Sequence, residues 1–137
     1  MKILEVLTRA RTIGNKGERI AVRELRKKGY KIIAKNYVAG GDEIDIIAEN
    51  KEVIAFVEVK TRTVGKSDLI LPRPASAVNA EKQRKIIKTA NFFLGGYKKK
   101  RRVSLDVFEV YLTPEGKREQ TLHIENAFNK NTAYERR

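Results

Sequence analysis

Glu58-Val59-Lys60 closes the apolar run Val53-Ile54-Ala55-Phe56-Val57, and a strand of that composition is not expected to end with two charges on one face. Side chains alternate along a strand, so Glu58 and Lys60 project with Ile54 and Phe56. Upstream, Gly41-Asp42-Glu43-Ile44-Asp45-Ile46-Ile47-Ala48 places carboxylates inside a second apolar strand. If Asn50-Lys51 forms a tight hairpin turn, Glu49 faces Glu52, Asp45 faces Phe56 and Glu43 faces Glu58. Glu43, Asp45, Glu58 and Lys60 then share one side, with Asp45 diagonal to Glu58. Opposed carboxylates cost a sheet up to ~1 kcal/mol and their desolvation adds more, which a divalent cation relieves directly. Hard Mg²⁺ takes one or two carboxylates together with waters and a substrate phosphate, and these residues supply that set without histidine or cysteine. The plainer alternatives are a buried structural pair for Asp45 and Glu58, and a strand-end salt bridge between Lys60 and Glu58.

Glu18 precedes Ala21, Val22 and Leu25 at helical spacing, which puts it on the inward face of a first helix as a third candidate carboxylate. The alternative is an acidic residue favoured in a first helical turn by the dipole. Lys82 lies one turn before Ile86 and two before Ala90, so it extends the inward stripe of a second helix and could reach a phosphate. It also belongs to a charge run with Arg84, Lys85 and Lys88 that reads equally well as a solvated face. Asp106 shares a strand face with Phe108 and Val110 and either braces the fold or joins the site. Roles for Glu43, Asp106 and the single histidine, His123, stay open.

The 30 Lys and Arg outnumber the 17 Asp and Glu, a formal charge of +13 on 137 residues, which predicts attraction to polyanions. Nucleic acid is the leading partner, DNA ahead of RNA. Absence of cysteine excludes a disulfide framework, a thiolate zinc site and a cysteine nucleophile, and fits a cytoplasmic protein. Ile3-Leu4-Glu5-Val6-Leu7 is short and interrupted by charge, and no apolar run approaches the ~20 residues that cross a bilayer, so no membrane association is expected.

A single domain over residues 1–128, followed by a polar tail at 129–137, suits this length. The elements that must position the charged set read as a helix over Asn15 to Lys28 and strands over Tyr30 to Val38, Glu43 to Glu49 and Glu52 to Lys60. A loop over Thr61 to Ala75 and a helix capped by Ser76 and running to Leu94 follow. Strands over Val103 to Leu112 and Gln120 to Ile124 complete the order α-β-β-β-α-β-β, an α/β sandwich of two or three layers.

Gly14 to Glu18, Gly29-Tyr30, Asn36-Tyr37, Gly41 to Ala48, Phe56 to Arg62, Lys82 and Leu105-Asp106-Val107 together resemble the pattern of the YraN-type family of small uncharacterised proteins. The resemblance covers nearly the whole chain, to Ala127-Phe128. That family is similar to the PD-(D/E)XK nuclease superfamily and, in architecture, to archaeal Holliday junction resolvases. It implies a restriction-endonuclease-like α/β fold, a central mixed β-sheet flanked by helices, with Asp45 as the motif aspartate and Glu58-Val59-Lys60 as its E-x-K. No proline precedes Asp45, and Asp42 is inserted in the usual G-E-I-D, so the second strand is expected to begin with a bulge.

The resulting expectation is a nuclease dependent on Mg²⁺ or Mn²⁺ and acting on DNA, including branched or flapped forms. Asp45, Glu58 and the Val59 carbonyl would hold the ion, Glu18 would complete its shell, and Lys60 would orient the attacking water or stabilise the transition state. Arg62 within the Thr61 to Ala75 stretch, Lys82 and the basic connector Lys98-Lys99-Lys100-Arg101-Arg102 would grip the phosphate backbone without reading sequence. The rivals are a module of the same fold that binds nucleic acid without turnover, and a ribosome-associated basic protein that leaves the inward carboxylates unexplained. By analogy, a symmetric homodimer would match the two strands of a junction.

Overall fold

The first helix, whose Leu25 is fully buried, ends in a paired-bond cap: Tyr30 N–H donates to the Leu25 carbonyl and Gly29 N–H to that of Arg26, each at 3.0 Å. Gly29 sits at φ +94°, the left-handed conformation this cap requires. The computed structural model describes residues 3–63 and 78–130. Helix α1 spans Ile3–Lys27 and starts well before the expected Asn15, running through Gly14 and Gly17. Strands β1 (Lys31–Ala39), β2 (Asp42–Glu49) and β3 (Val53–Thr63), helix α2 (Ala80–Leu94), and strands β4 (Arg102–Leu112) and β5 (Arg118–Ile124) complete the expected order.

The five strands form one mixed sheet in the order β1-β2-β3-β4-β5, in which only β3 and β4 run parallel, joined through α2. Alternation along β3 sends Val53, Ala55 and Val57 into a core beneath α1 with Ile20, Ala21 and Leu25. Ile54 and Phe56 enter a second core beneath α2 with Ile86 and Ala90. The sheet is therefore covered on both faces, which resolves the sandwich into three layers. This is the α/β restriction-endonuclease-like architecture.

β3 runs on to Thr63, into the expected Thr61 to Ala75 loop, the rest of which lies outside the described residues, and three further local expectations are corrected. The β2–β3 turn is centred on Lys51 and Glu52, because the Asn50 side chain accepts the N–H groups of Glu52 and Val53 at 2.9 and 2.8 Å while Asn50 N–H donates to the Val53 carbonyl. Glu49 thus pairs with Ile54 and Ile47 with Phe56, a register moved by two residues that preserves which side each residue faces. The cap of α2 is Asn79, whose Oδ1 accepts Lys82 N–H at 2.8 Å, while the expected Ser76 lies outside the described residues. No bulge opens β2, since Ala39, Val38 and Tyr37 pair in step with Asp42, Glu43 and Ile44; the register shift falls in β1, between Ile32 and Ala34.

Candidate functional site

The ladder between β2 and β3 runs from the turn only as far as Ile46 and Val57. β3 meanwhile stays paired with β4 as far as Thr63 and Leu112, so β2 is the strand that peels away. The gap is filled from β2: Asp45 Oδ2 accepts the Val59 N–H at 2.8 Å. In an antiparallel pair the N–H and C=O of one residue point to the same neighbour, so the Val59 carbonyl leaves β3 on the side of Asp45.

Asp45 also marks a break in alternation. Ile44 and Ile46, which should share a face, enter the α2-side and α1-side cores respectively. Asn36, directly across β1 in the same register, adopts φ +52°, which asparagine tolerates better than most residues. The rotation of the strand there turns Asp45 into the gap, where groups from both layers act on it. Burial raises its pKa, the Val59 hydrogen bond opposes that rise, Glu43 adds to it, and Lys82 and Lys60 lower it.

Continuing the register by one step sets Glu58 directly opposite Asp45, where diagonal placement was expected. Glu58 is buried, and both Lys60 Nζ at 3.7 Å and Lys82 Nζ at 3.9 Å address its Oε1. Burial, then the Asp45 charge, push its pKa up to about 7, against the partial relief given by Lys82 and Lys60. Two ammonium groups therefore leave the carboxylate pair undercompensated. Lys82, partly exposed, also reaches Glu58, because the Asn79 cap starts α2 at the point that carries its third residue over that carboxylate.

Glu18 approaches from the α1 side. Its pKa is raised by partial burial first, then by Asp45 and Glu43, with Lys35 opposing. Gly17 permits the approach: a Cβ there would lie 2.9 Å from Thr61 Cβ and closer still to Thr61 Oγ1, so only glycine lets α1 rest on β3 at this level. Gly17→Ala is expected to lose about 1–3 kcal/mol by overpacking. Thermal unfolding of Gly17→Ala and of Gly17→Ala with Thr61→Ala checks this, with partial recovery expected in the double variant.

Among the described residues, no three carboxylate or histidine side chains are grouped closely enough to share one ion. The convergent donors are Asp45 and Glu58, with Glu18 standing further back. Sequence reasoning missed Glu109, which pairs with Lys60 across the parallel ladder and is fully buried on the face of Glu58. Tyr111 Oη donates to Glu109 Oε2 at 2.9 Å, and Arg62 Nε stands 3.8 Å from the same oxygen. Among the described residues Glu109 Oε1 and Arg62 Nε have no hydrogen-bond partner. The signal was present in the sequence, because Glu109 alternates with Val107 and Tyr111 on the inward side of β4.

The basic connector lies elsewhere. Lys99 Nζ contacts buried Glu49 at 2.6 Å, and Arg101 Nε donates to the Asn50 carbonyl at 2.8 Å, so both are fastened to the β2–β3 turn. That is four residues from Asp45 along β2, about 13 Å at roughly 3.3 Å per residue. Lys98, Lys100 and Arg102 are exposed at the same end. Lys99, then Tyr97, hold the Glu49 pKa down against burial.

Asp106 and His123 belong to the opposite sheet face. Lys28 Nζ is hydrogen-bonded to His123 Nδ1 at 2.8 Å, and His123 Nε2 to Asp106 Oδ2 at 2.8 Å. Asp106 Oδ1 accepts Asn126 N–H at 2.9 Å and the Ser104 hydroxyl. This satisfied network ties β4 to β5 and the turn beyond it, the bracing role left open for Asp106.

Fold and site together define an α/β protein of the restriction-endonuclease-like class with a carboxylate and lysine pocket where two strands diverge. The description "Uncharacterised protein family UPF0102" matches residues 17–110, and the chain belongs to that family, as its motifs led one to expect. A UPF0102 protein of Caldanaerobacter subterraneus is 45% identical over 120 residues, covering 86% of this chain and 95% of the relative. UPF0102 proteins of Porphyromonas gingivalis and Geobacter metallireducens are each 40% identical, covering 84% and 86% of this chain and 82% and 93% of those relatives. Among the described residues no helix is long and apolar enough to cross a membrane.

Proposed function

We propose that this protein hydrolyses phosphodiester bonds in DNA with the help of Mg²⁺ or Mn²⁺. The observation that carries the reading is the pair of carboxylates, half-buried Asp45 and buried Glu58, on neighbouring strands at the point where their ladder stops. An all-oxygen donor set with two carboxylates fits a hard cation that keeps waters and takes a substrate phosphate. Asp45 and Glu58 would hold the ion together with the Val59 carbonyl, and Glu18 would act through water. When bound, such an ion supplies Lewis-acid chemistry, acidifying water and neutralising phosphate charge. Lys60 orients the attacking water or balances charge on the phosphoryl oxygens in the transition state, and Lys82 draws the scissile phosphate toward Glu58. The +13 charge favours the polyanionic substrate.

A second reading, binding without turnover, draws on the lack of a three-side-chain metal group among the described residues. Incubating the protein with single-stranded, duplex, flap and four-way DNA in Mg²⁺, Mn²⁺, Ca²⁺ or EDTA separates the two. Products in Mg²⁺ or Mn²⁺ that EDTA abolishes are expected. Salt-dependent binding of every substrate with no product in any metal would overturn hydrolysis in favour of binding alone.

A further inference from the structure

Beyond the carboxylate pocket, the strongest unassigned feature is a groove of about 820 Å³ between α1 and β1, lined by Arg19, Arg23, Arg26, Lys27 and Lys35. Arg19, Arg23 and Arg26 are spaced by four and three residues, so they form one stripe along α1 and make one wall. Lys35 and Asn36 of β1 contribute to the other. Lys27 is drawn toward Glu24 at 4.0 Å, whereas among the described residues no carboxylate forms an ion pair with the three arginines. All three are exposed, so like charges are held together here without serving the core.

The groove leads to the pocket. Glu18 lines it and feels the charge of Asp45, and Asn36 stands across the β1–β2 register from Asp45. Arg19 to Arg26 covers about 10 Å of helix at 1.5 Å per residue, long enough to meet more than one backbone phosphate. Guanidinium groups match phosphate oxygens in a planar fork, which suits a succession of backbone phosphates better than a single anion.

We propose that the α1–β1 groove holds the phosphodiester backbone of one nucleic-acid strand as it runs to or from the Asp45 and Glu58 pocket, with Arg19, Arg23, Arg26 and Lys35 on its phosphates. This rests on the nucleic-acid part of the proposed function and stands apart from hydrolysis. It moves the main contact surface away from the connector at the β2–β3 turn.

The test compares wild type with two variants that remove the same charge: Arg19→Gln/Arg23→Gln/Arg26→Gln in the groove, and Lys98→Gln/Lys100→Gln/Arg102→Gln at the turn. Binding of a fluorescein-labelled single-stranded oligodeoxynucleotide is titrated in EDTA across about 50 to 200 mM salt. The groove variant is expected to lower the slope of log affinity against log salt by about 2, near 0.7 per phosphate contact, with a tenfold or greater loss of affinity at the lower salt. The turn variant should change the slope by less than half as much. Equal changes in both variants, or a larger change at the turn, would reduce the effect to net charge and overturn the groove. So would a wild-type protein that ignores the oligonucleotide, or one that prefers phosphatidylglycerol vesicles with the same arginine dependence. Cleavage is scored separately: an arginine-dependent slope with no metal-dependent product keeps the groove and removes hydrolysis, and product formation with an arginine-independent slope does the reverse.

Discussion

Asp45→Ala and Lys60→Ala are each expected to lower metal-dependent DNA cleavage by about three orders of magnitude. Asp45 is asked to do two things, and its replacements separate them. Asp45→Asn keeps an oxygen that can accept the Val59 N–H, so it preserves the bracing of the strand gap, yet it loses the charge that a cation requires. If Asp45 serves only the fold, asparagine should cleave like wild type and alanine should be the less stable of the two. If it serves the ion, asparagine and alanine should be similarly inactive. Lys60→Arg adds a control on position, since it retains charge beside Glu58 but delivers it through a wider, planar group. Gel assays of all four variants beside oligonucleotide binding at fixed salt provide the readout. Full cleavage by Asp45→Ala would end the assignment.

The faces of β2 and β3 were legible from alternation alone, because apolar runs interrupted by charge at one end leave few ways to pack. The register was not: it turned on whether Asn50 sits inside the turn or caps it, and the Asn50 side chain, by accepting two N–H groups, moves the turn one residue onward. That move carries Asp45 from a diagonal position to one directly opposite Glu58 and tightens the site. Glycine misled the reading of α1, since Gly14 suggests a late helix start although the helix runs through it, and Gly17, within the expected helix, is present for its contact with Thr61. Charge runs carry no direction in one dimension. The run Lys98 to Arg102 did not reveal that Glu49 and Asn50 fasten it to the β2–β3 turn, away from Asp45, while Arg19, Arg23 and Arg26 were readable as one helical stripe but not as the wall of a groove. Glu109 shows the complementary difficulty, for an inward carboxylate in an otherwise apolar strand announces itself only when parity is followed through every position.

Glu58→Gln is expected to stabilise the metal-free protein at about pH 8 by on the order of 3 kcal/mol and to remove the metal response expected of wild type. The ordinary glutamate value of 4.5 is raised in the folded protein to about 7 by burial and by Asp45. A carboxylate whose pKa is higher folded than unfolded contributes stability fully below the unfolded value, and loses it as pH climbs through the folded one. Wild type should therefore weaken relative to Glu58→Gln between about pH 4.5 and 7, and the wild-type minus variant difference isolates this residue from oppositely shifted groups such as Glu49. Magnesium should reverse the loss, because a cation binds the ionised pair and not the unfolded chain; at a hundredfold excess over its Kd it restores about 2.7 kcal/mol. Glu58→Gln lacks the charge that makes this linkage work, so its unfolding free energy should stay flat in Mg²⁺. Urea unfolding of both proteins at several pH values, with and without Mg²⁺, reads both effects. A wild-type protein that gains stability over Glu58→Gln as pH rises without metal would mean that Lys60 and Lys82 already satisfy the pair, leaving no electrostatic reason for an ion.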